Sequence, residues 1–161
     1  MKKQYRNNGA IGAILDEYEK SLIELEHVII DLTDEDLFTI IDHKTEDSDC
    51  KSIQTILTHI IRAGYNYVIE IRKSFGEKKD FINHKTLSTS EQYRDELKEM
   101  FKYNEQLFKD YPNLNLEEHD SKKKIFVNWG QLYDIEQLLE HAIVHVLRHR
   151  RQIERFLIRV K

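Results

Sequence analysis

The histidines between residues 141 and 149 are the side chains whose type and spacing best fit a chemical role. His141, His145 and His149 stand four residues apart inside one long segment with helical periodicity. Because a four-residue step along an α-helix returns nearly to the same face and rises about 6 Å, His145 and His149 can both reach one metal ion. His141 and His149 lie about 12 Å apart along the axis, which is too far for all three to share that ion.

The position of His149 decides which pair is favoured. Apolar residues recur in steps of three and four at Leu132, Ile135, Leu139, Ala142, Val146, Ile153, Phe156 and Val160. His149 falls in this stripe where an apolar residue is expected, whereas His145 lies at its shoulder and His141 near its boundary. An unpaired buried imidazole costs about 1–3 kcal/mol, so a lone buried histidine is usually a structural residue bonded to a neighbour. Two histidines at this spacing, followed by the inward-leaning Gln152, favour metal ligands instead.

Two histidines on one helix make an incomplete site, because a catalytic zinc typically takes three protein ligands and keeps one open position. His59 is the one histidine of an earlier helical segment and lies near its start. Alone it would be a structural or half-exposed residue, but facing the pair it becomes the best third ligand. Glu70, deeper on the same face, is a candidate catalytic base. Gln152 and Arg148 are candidates for contacts to a ligand or substrate.

Four segments with helical periodicity predict an all-α protein, a four-helix bundle in one domain spanning residues 1–161. The predicted helices cover about residues 9–32, 52–75, 89–111 and 129–160. Ser52 is a good N-cap for the second helix, and Pro112 ends the third. Asn128 and Gln131 have the cap and capping-box positions expected at the start of the fourth.

The composition is typical of a soluble globular protein, with 161 residues, 34% charged residues and a formal net charge of −4. The single cysteine, Cys50, excludes an internal disulfide and suits a reducing compartment. Its role is either that of an incidental thiol or a redox role near the start of the second helix. No convincing signal peptide follows Met1 and no apolar run reaches membrane-spanning length, so we expect a cytoplasmic protein without a membrane partner.

Two parts of the sequence together resemble the DinB/YfiT-like superfamily of metal-binding four-helix proteins. They are the run Ser-Ile-Gln-Thr-Ile-Leu-Thr-His ending at His59, and the pattern His145-x-x-x-His149-Arg150-x-Gln152-Ile153. The resemblance implies that His59, His145 and His149 bind a divalent metal, often zinc or nickel, at one end of a bundle with up-down-down-up order. It also implies frequent dimers and, in some members, isomerase or S-transferase chemistry with small thiols. Arg151 stands where the family commonly has a small residue, which leaves the substrate open.

A metal ion on three imidazoles is a Lewis acid that lowers the pKa of coordinated water or thiol. We therefore expect a metal-dependent thiol transferase or hydrolase acting on a small electrophile. Arg148, Arg150 and His141 either ring the mouth of the site and attract a carboxylate or form a solvated basic helix end. The alternative is a metal-stabilised binding or stress-response module without turnover, which would keep the three histidines but lack a substrate-sized cavity.

Nucleic-acid binding is a third hypothesis. It would use the basic residues near the end of the sequence, which are Arg148, Arg150, Arg151, Arg155, Arg159 and Lys161. The acidic net charge and the division of these arginines between helix faces both disfavour it. We therefore expect no nucleic-acid partner.

Overall fold

The computed structural model describes residues 5–160, and within that range the chain forms five α-helices, one 3₁₀ turn and two short paired strands. Their bounds are α1 Gly9–Ile29, α2 Asp34–Phe38, the 3₁₀ turn Ser48–Cys50, α3 Ile53–Ser74, α4 Ser90–Asp110, β1 Ile125–Phe126, β2 Leu132–Tyr133 and α5 Ile135–Val160. The chain is mostly helical, which confirms the predicted all-α class. The predictions that involve Met1 and Lys161 lie outside the described residues.

Side-chain caps fix the starts of the two central helices. The Ser52 hydroxyl accepts the backbone N–H of Thr55 at 3.1 Å, and the Thr55 hydroxyl accepts the N–H of Ser52 at 3.0 Å. Thr89 and Gln92 exchange the same pair of hydrogen bonds at the start of α4. These bonds satisfy backbone donors that the first turn of a helix leaves unpaired. Ser52 is therefore the N-cap of α3, as predicted.

The first predicted helix is too long, because α1 ends at Ile29 and a short separate helix follows. Thr33 caps this α2 helix: its hydroxyl accepts the N–H of Asp36, and the Asp36 carboxylate accepts the N–H of Thr33. A residue with the extended backbone of Thr33 cannot continue a helix. The chain therefore turns at this point and begins a new helix.

The last helix begins at Ile135, so the predicted start near Trp129 is wrong. Asp134 is the capping residue: its carboxylate accepts the N–H of Gln137 at 2.8 Å, and the Gln137 side chain accepts the N–H of Asp134 at 3.1 Å. The predicted cap was Asn128, whose side chain is of a type that caps helices. The true cap lies six residues later in the chain.

The residues predicted as the first turn of that helix form a turn between two strands. β1 and β2 pair in antiparallel register, with Ile125 opposite Tyr133. Between them Gly130 has a φ of +85°, a backbone conformation that glycine adopts far more readily than other residues. This turn places Trp129 beside α5 instead of within it.

The four long helices pack around a shared core. α1 packs against α4 and α5, and α3 packs against the same two helices. α3 and α4 approach closely at Gly64, where a Cβ atom would lie only 2.0 Å from the Met100 sulfur. Near the start of α3 the Thr58 and Tyr93 hydroxyls lie 2.6 Å apart, and the Tyr93 hydroxyl accepts the backbone N–H of Leu87 at 3.0 Å. These contacts fix the part of α3 that carries His59.

No helix within residues 5–160 combines the length and the apolar character needed to cross a membrane.

Candidate metal centre

Three histidines converge where the first half of α3 faces the middle of α5. One ring nitrogen from each of His59, His145 and His149 lies within 4.8 Å of the other two. The Nε2 atoms of His59 and His145 are 2.9 Å apart, and the ring centroids of His145 and His149 are 4.5 Å apart. The structure therefore brings together the three side chains that the sequence singles out as metal ligands. We refer to them as the histidine cluster.

The packing of α5 explains why His149 faces inward. Its exposed fraction is 4%, and it lies in the stripe between Val146 and Ile153, both of which are buried. Ile153 follows Val146 by seven positions, and His149 is the intervening residue on that face. A polar ring at a core position needs a partner inside the protein.

Gln152 supplies one such partner. The His149 Nδ1 atom lies 3.0 Å from the Gln152 side-chain oxygen. An amide oxygen can only accept a hydrogen bond, so His149 carries its hydrogen on Nδ1 and leaves a lone pair on Nε2. Gln152 thus fixes both the orientation and the tautomer of this ring.

Asp49 does the same for His59. One carboxylate oxygen of Asp49 lies 3.1 Å from His59 Nδ1, and the same oxygen pairs with the Arg62 guanidinium. The Arg62 guanidinium is also 3.1 Å from His59 Nδ1, but it can only donate a hydrogen bond. It therefore cannot accept one from a protonated Nδ1. We assign the hydrogen to Nδ1, donated to Asp49, with Arg62 holding the carboxylate in place. This leaves the His59 Nε2 lone pair turned towards the cluster.

Asp49 was not predicted from the sequence. It lies in the 3₁₀ turn before α3, inside a connection that has no helical or strand periodicity. The only signal was an acidic residue close to a helix that carries a candidate ligand, and this connection contains several acidic residues.

Burial keeps all three rings neutral. Desolvation lowers the pKa of His145 to about 2 and that of His149 to about 4, because the interior disfavours the charged imidazolium. It also lowers the pKa of His59, although the Asp49 carboxylate acts in the opposite direction. Neutral imidazole is the form that binds a metal. The cluster therefore needs no deprotonation near neutral pH before it can bind a cation.

The donor set fits a divalent metal ion, which His59, His145 and His149 would hold. Imidazole nitrogen suits zinc, nickel, copper and iron. The hydrogen bonds from Nδ1 to Asp49 and Gln152 are of the kind that metal-binding histidines almost always make through their second ring nitrogen. These hydrogen bonds leave the lone pairs of His59 and His149 on Nε2, the nitrogen that a cation in the cluster would use.

His141 takes a different role. Its ring stacks on Trp129 with a centroid distance of 5.6 Å, and the ring of Tyr67 lies 5.5 Å from it. The same Tyr67 ring is 5.9 Å from His145, so these aromatic residues form a wall beside the histidine cluster. This wall was not predicted from the sequence, because Trp129 was placed in the last helix.

Of the other candidate residues, Gln152 contacts the cluster and Glu70 does not. Glu70 is buried and accepts a hydrogen bond from the backbone of Asn128, and burial raises the pKa of its carboxyl group. Within residues 5–160 no hydrogen bond or ion pair joins Glu70 to a histidine. Its role as a base remains a prediction.

Arg148 and Cys50 lie on the other side of Gln152. Arg148 is exposed and lines a cavity, together with Cys50 and Gln152. The Cys50 sulfur lies 3.9 Å from the Gln152 side-chain oxygen, and burial raises the pKa of the thiol.

Comparison with known proteins adds one finding. The model of the DinB family matches residues 7–159, which span all five helices and include the three histidines. No curated protein matches the chain.

Proposed function

This chain belongs to the DinB family, and from that premise we propose that it is a divalent-metal-binding enzyme that activates a thiol or water. The electrophilic partner would be a small molecule, to which the thiol is transferred or which is hydrolysed. The observation that carries the proposal is the convergence of three neutral histidine nitrogens within 4.8 Å. We propose zinc or nickel as the metal, on the strength of the family resemblance and of the imidazole donors.

The bound ion would supply a Lewis acid that lowers the pKa of water or thiol towards neutrality. The protein's part is to hold that charge without cancelling it, and three neutral imidazoles do so. Asp49 and Gln152 orient two of the rings. Within residues 5–160 no fourth side chain joins the histidine cluster as a possible ligand. Three protein ligands are typical of catalytic zinc, whereas structural zinc is usually closed by four.

We also propose that the four long helices form a bundle with up-down-down-up order. Between α3 and α4, Thr58 contacts Tyr93 and Arg72 contacts Asp110. Between α3 and α5, His59 contacts His149 and Tyr67 contacts His141. Between α4 and α1, Lys98 contacts Glu26 and Phe101 contacts Tyr18. Residue numbers rise together across the first pair of helices and run in opposite senses across the other two. This order places the second and third long helices parallel to each other.

The alternative proposal is a metal-stabilised binding or stress-response module without turnover. Such a protein would keep the histidine cluster but would need no substrate cavity. A cavity of about 430 Å³ next to Gln152 favours the enzyme. The proposal also includes a cytoplasmic location, a small-molecule substrate, a low-molecular-weight thiol as co-substrate and a homodimer.

The first experiment measures the metal. Protein purified without a histidine tag is subjected to elemental analysis, and about one zinc or nickel ion per chain is expected. The His59→Ala variant should lose this ion. The His27→Ala variant, which changes an exposed histidine on α1, should keep it. Absence of a divalent metal after loading of the wild-type protein would overturn the proposal.

The second experiment measures turnover. A panel of electrophiles, esters and amides is assayed with and without cysteine, glutathione and bacillithiol. Metal-dependent turnover that is lost in His59→Ala and retained in His27→Ala would support the enzyme. A stoichiometric metal ion without turnover on any member of the panel would favour the non-catalytic module.

A further inference from the structure

A second site lies beside the histidine cluster, in the cavity between the C-terminal half of α5 and the connection that precedes α3. Its volume is about 430 Å³. Four arginines of α5 line it: Arg148, Arg151, Arg155 and Arg159. Their spacing of three, four and four residues places them along one side of the helix. We call this space the arginine cavity.

The four guanidinium groups form no ion pair with a carboxylate in the described part of the chain. Other arginines do: Arg6, Arg62, Arg72 and Arg150 each pair with at least one carboxylate. The arginines of the cavity wall thus differ from these in having no carboxylate bound directly to them.

Two acidic residues line the opposite side, but both are engaged in local turns. One oxygen of Asp42 accepts the backbone N–H groups of Lys44 and Thr45 at 3.0 and 3.1 Å. One oxygen of Asp47 accepts the N–H of Asp49 at 2.9 Å, and this bond lowers the pKa of Asp47. Four arginines against two aspartates leave a surplus of two positive charges on the lining, in a chain whose formal net charge is −4.

The arginine cavity is one side chain away from the histidine cluster. Gln152 lines the cavity, and its side-chain oxygen accepts the hydrogen bond from His149. Arg148 lines the cavity and directly precedes His149 in α5. A molecule held by the arginines would therefore lie close to the metal ligands without touching them.

We propose that the arginine cavity binds the anionic part of a small substrate or thiol co-substrate, a molecule that carries a carboxylate or phosphate group. A guanidinium group presents a planar fork of N–H donors that matches both anions and keeps its charge at any physiological pH. The surplus charge and the lack of protein partners for the arginines both favour such a ligand. The identity of the ligand as substrate rests on the proposed function, but the anion site itself does not.

The test uses anion binding in the absence of metal. Inorganic phosphate and succinate are each titrated into the full chain after removal of metal by a chelator and dialysis, at constant ionic strength, with calorimetry or NMR as the readout. Saturable binding of one or both anions at millimolar concentration is expected. Preference between the two probes distinguishes a phosphate-bearing ligand from a carboxylate-bearing one.

The informative variant is Arg151→Gln combined with Arg155→Gln, and the matched control is Arg94→Gln. Arg94 lies on α4, does not line the cavity and forms no ion pair in the described residues. The double variant should bind about tenfold more weakly or worse, because each guanidinium lost removes a charge-assisted hydrogen bond. The control should bind as the wild type does. Circular dichroism melting curves of all variants establish that the fold is kept.

Three outcomes would overturn the proposal: no saturable binding of either probe, equal binding by the double variant, or binding that appears only after zinc is added. The last would place the anion on the metal. Tight binding of duplex DNA that is lost in the double variant would also overturn it, in favour of a nucleic-acid surface. Anion binding that persists in His59→Ala would show that this site is independent of the metal, so a failure of the proposed catalysis would leave it standing.

Discussion

α3 carries a polar cluster near each of its ends, and the two clusters differ in how their charges and hydrogen bonds are satisfied. At the far end the buried Arg72 side chain pairs with Glu77 at 2.9 Å and Asp110 at 2.5 Å, and the Tyr111 hydroxyl donates to Glu77 at 2.6 Å. A positive charge meets two negative ones, so the group is complete in counter-charges within the protein. Of its buried polar atoms, Arg72 Nε has no hydrogen-bond partner in the described residues.

At the near end the histidine cluster is built from neutral rings instead. His59 and His149 donate from Nδ1 to Asp49 and Gln152, which leaves the lone pair of each ring on Nε2. The His59 Nε2 atom lies 2.9 Å from the Nε2 atom of His145. The comparison distinguishes a group that contains its own counter-charges from one whose nitrogens are neutral and carry lone pairs, as metal binding requires.

The largest expected effect separates the two clusters by their response to metal. Zinc should stabilise the wild-type protein by about 4 kcal/mol when its free concentration is a thousand times the dissociation constant, because it binds only the folded state. His149→Ala should remove this gain. The measurement is urea unfolding with zinc and with a chelator.

Val146→Ala is the matched control for that variant, because it truncates a buried side chain of the same helix without touching a ligand. It should lower the stability of both forms and leave the gain from zinc intact. Superimposable unfolding curves for wild-type protein with zinc and with chelator would contradict the metal assignment.

The next effect concerns the complete cluster. Arg72→Met should lower the melting temperature by about 3–6 °C, since it strips the buried end of α3 of its charge-assisted hydrogen bonds. The fall should be the same in the zinc-loaded and the chelated protein. A loss of the zinc response in this variant would mean that the two clusters are coupled along α3 and that the contrast between them is wrong.

A smaller effect tests the outer partner of His59. Asp49→Asn should weaken zinc binding about tenfold, because it removes the charge that orients and polarises the ring. Competition with a chromogenic chelator measures this change. Glu46→Gln, which changes an exposed carboxylate of the same connection, is the control and should retain wild-type affinity. Equal affinities in both variants would remove Asp49 from the site.

The smallest effect is expected at Glu70, which belongs to neither cluster. Burial raises the pKa of this carboxyl group in the folded protein above its unfolded value. Its contribution to stability is therefore fully present below the unfolded pKa and is lost as the pH rises through the folded pKa. Glu70→Gln should be slightly more stable than the wild type at pH 7 and equal to it at pH 4, in parallel unfolding curves. A large loss of turnover in this variant would instead support its predicted role as a base.

The sequence predicted the histidine cluster better than it predicted the residues around it. His145 and His149 are recognisable because helical spacing is regular and His149 interrupts an apolar stripe, and both lie on α5 as expected. His59 followed from the same regularity on α3. The outer partner Asp49 could not be predicted, because it lies in a connection where no period links sequence position to direction in space.

Helix boundaries show the same limit. Ser52 was predicted as a cap because it directly precedes the apolar run of α3, and the structure confirms it. For α5 the predicted cap was Asn128, whereas the capping residue is Asp134. The residues between them form the turn and β2, and a pairing of two residues each leaves almost no pattern in the sequence. For the same reason Trp129, which was predicted within a helix, lies instead in the aromatic wall beside His141.

The histidine contact between α3 and α5 joins residues that are 86 positions apart in the chain. A metal ion at this point would close a loop of that length in the manner of a reversible cross-link. Its departure would remove this cross-link and lower the cost of separating α5 from α3. The ion would in this way stabilise the docking of the last helix as well as supply a reagent.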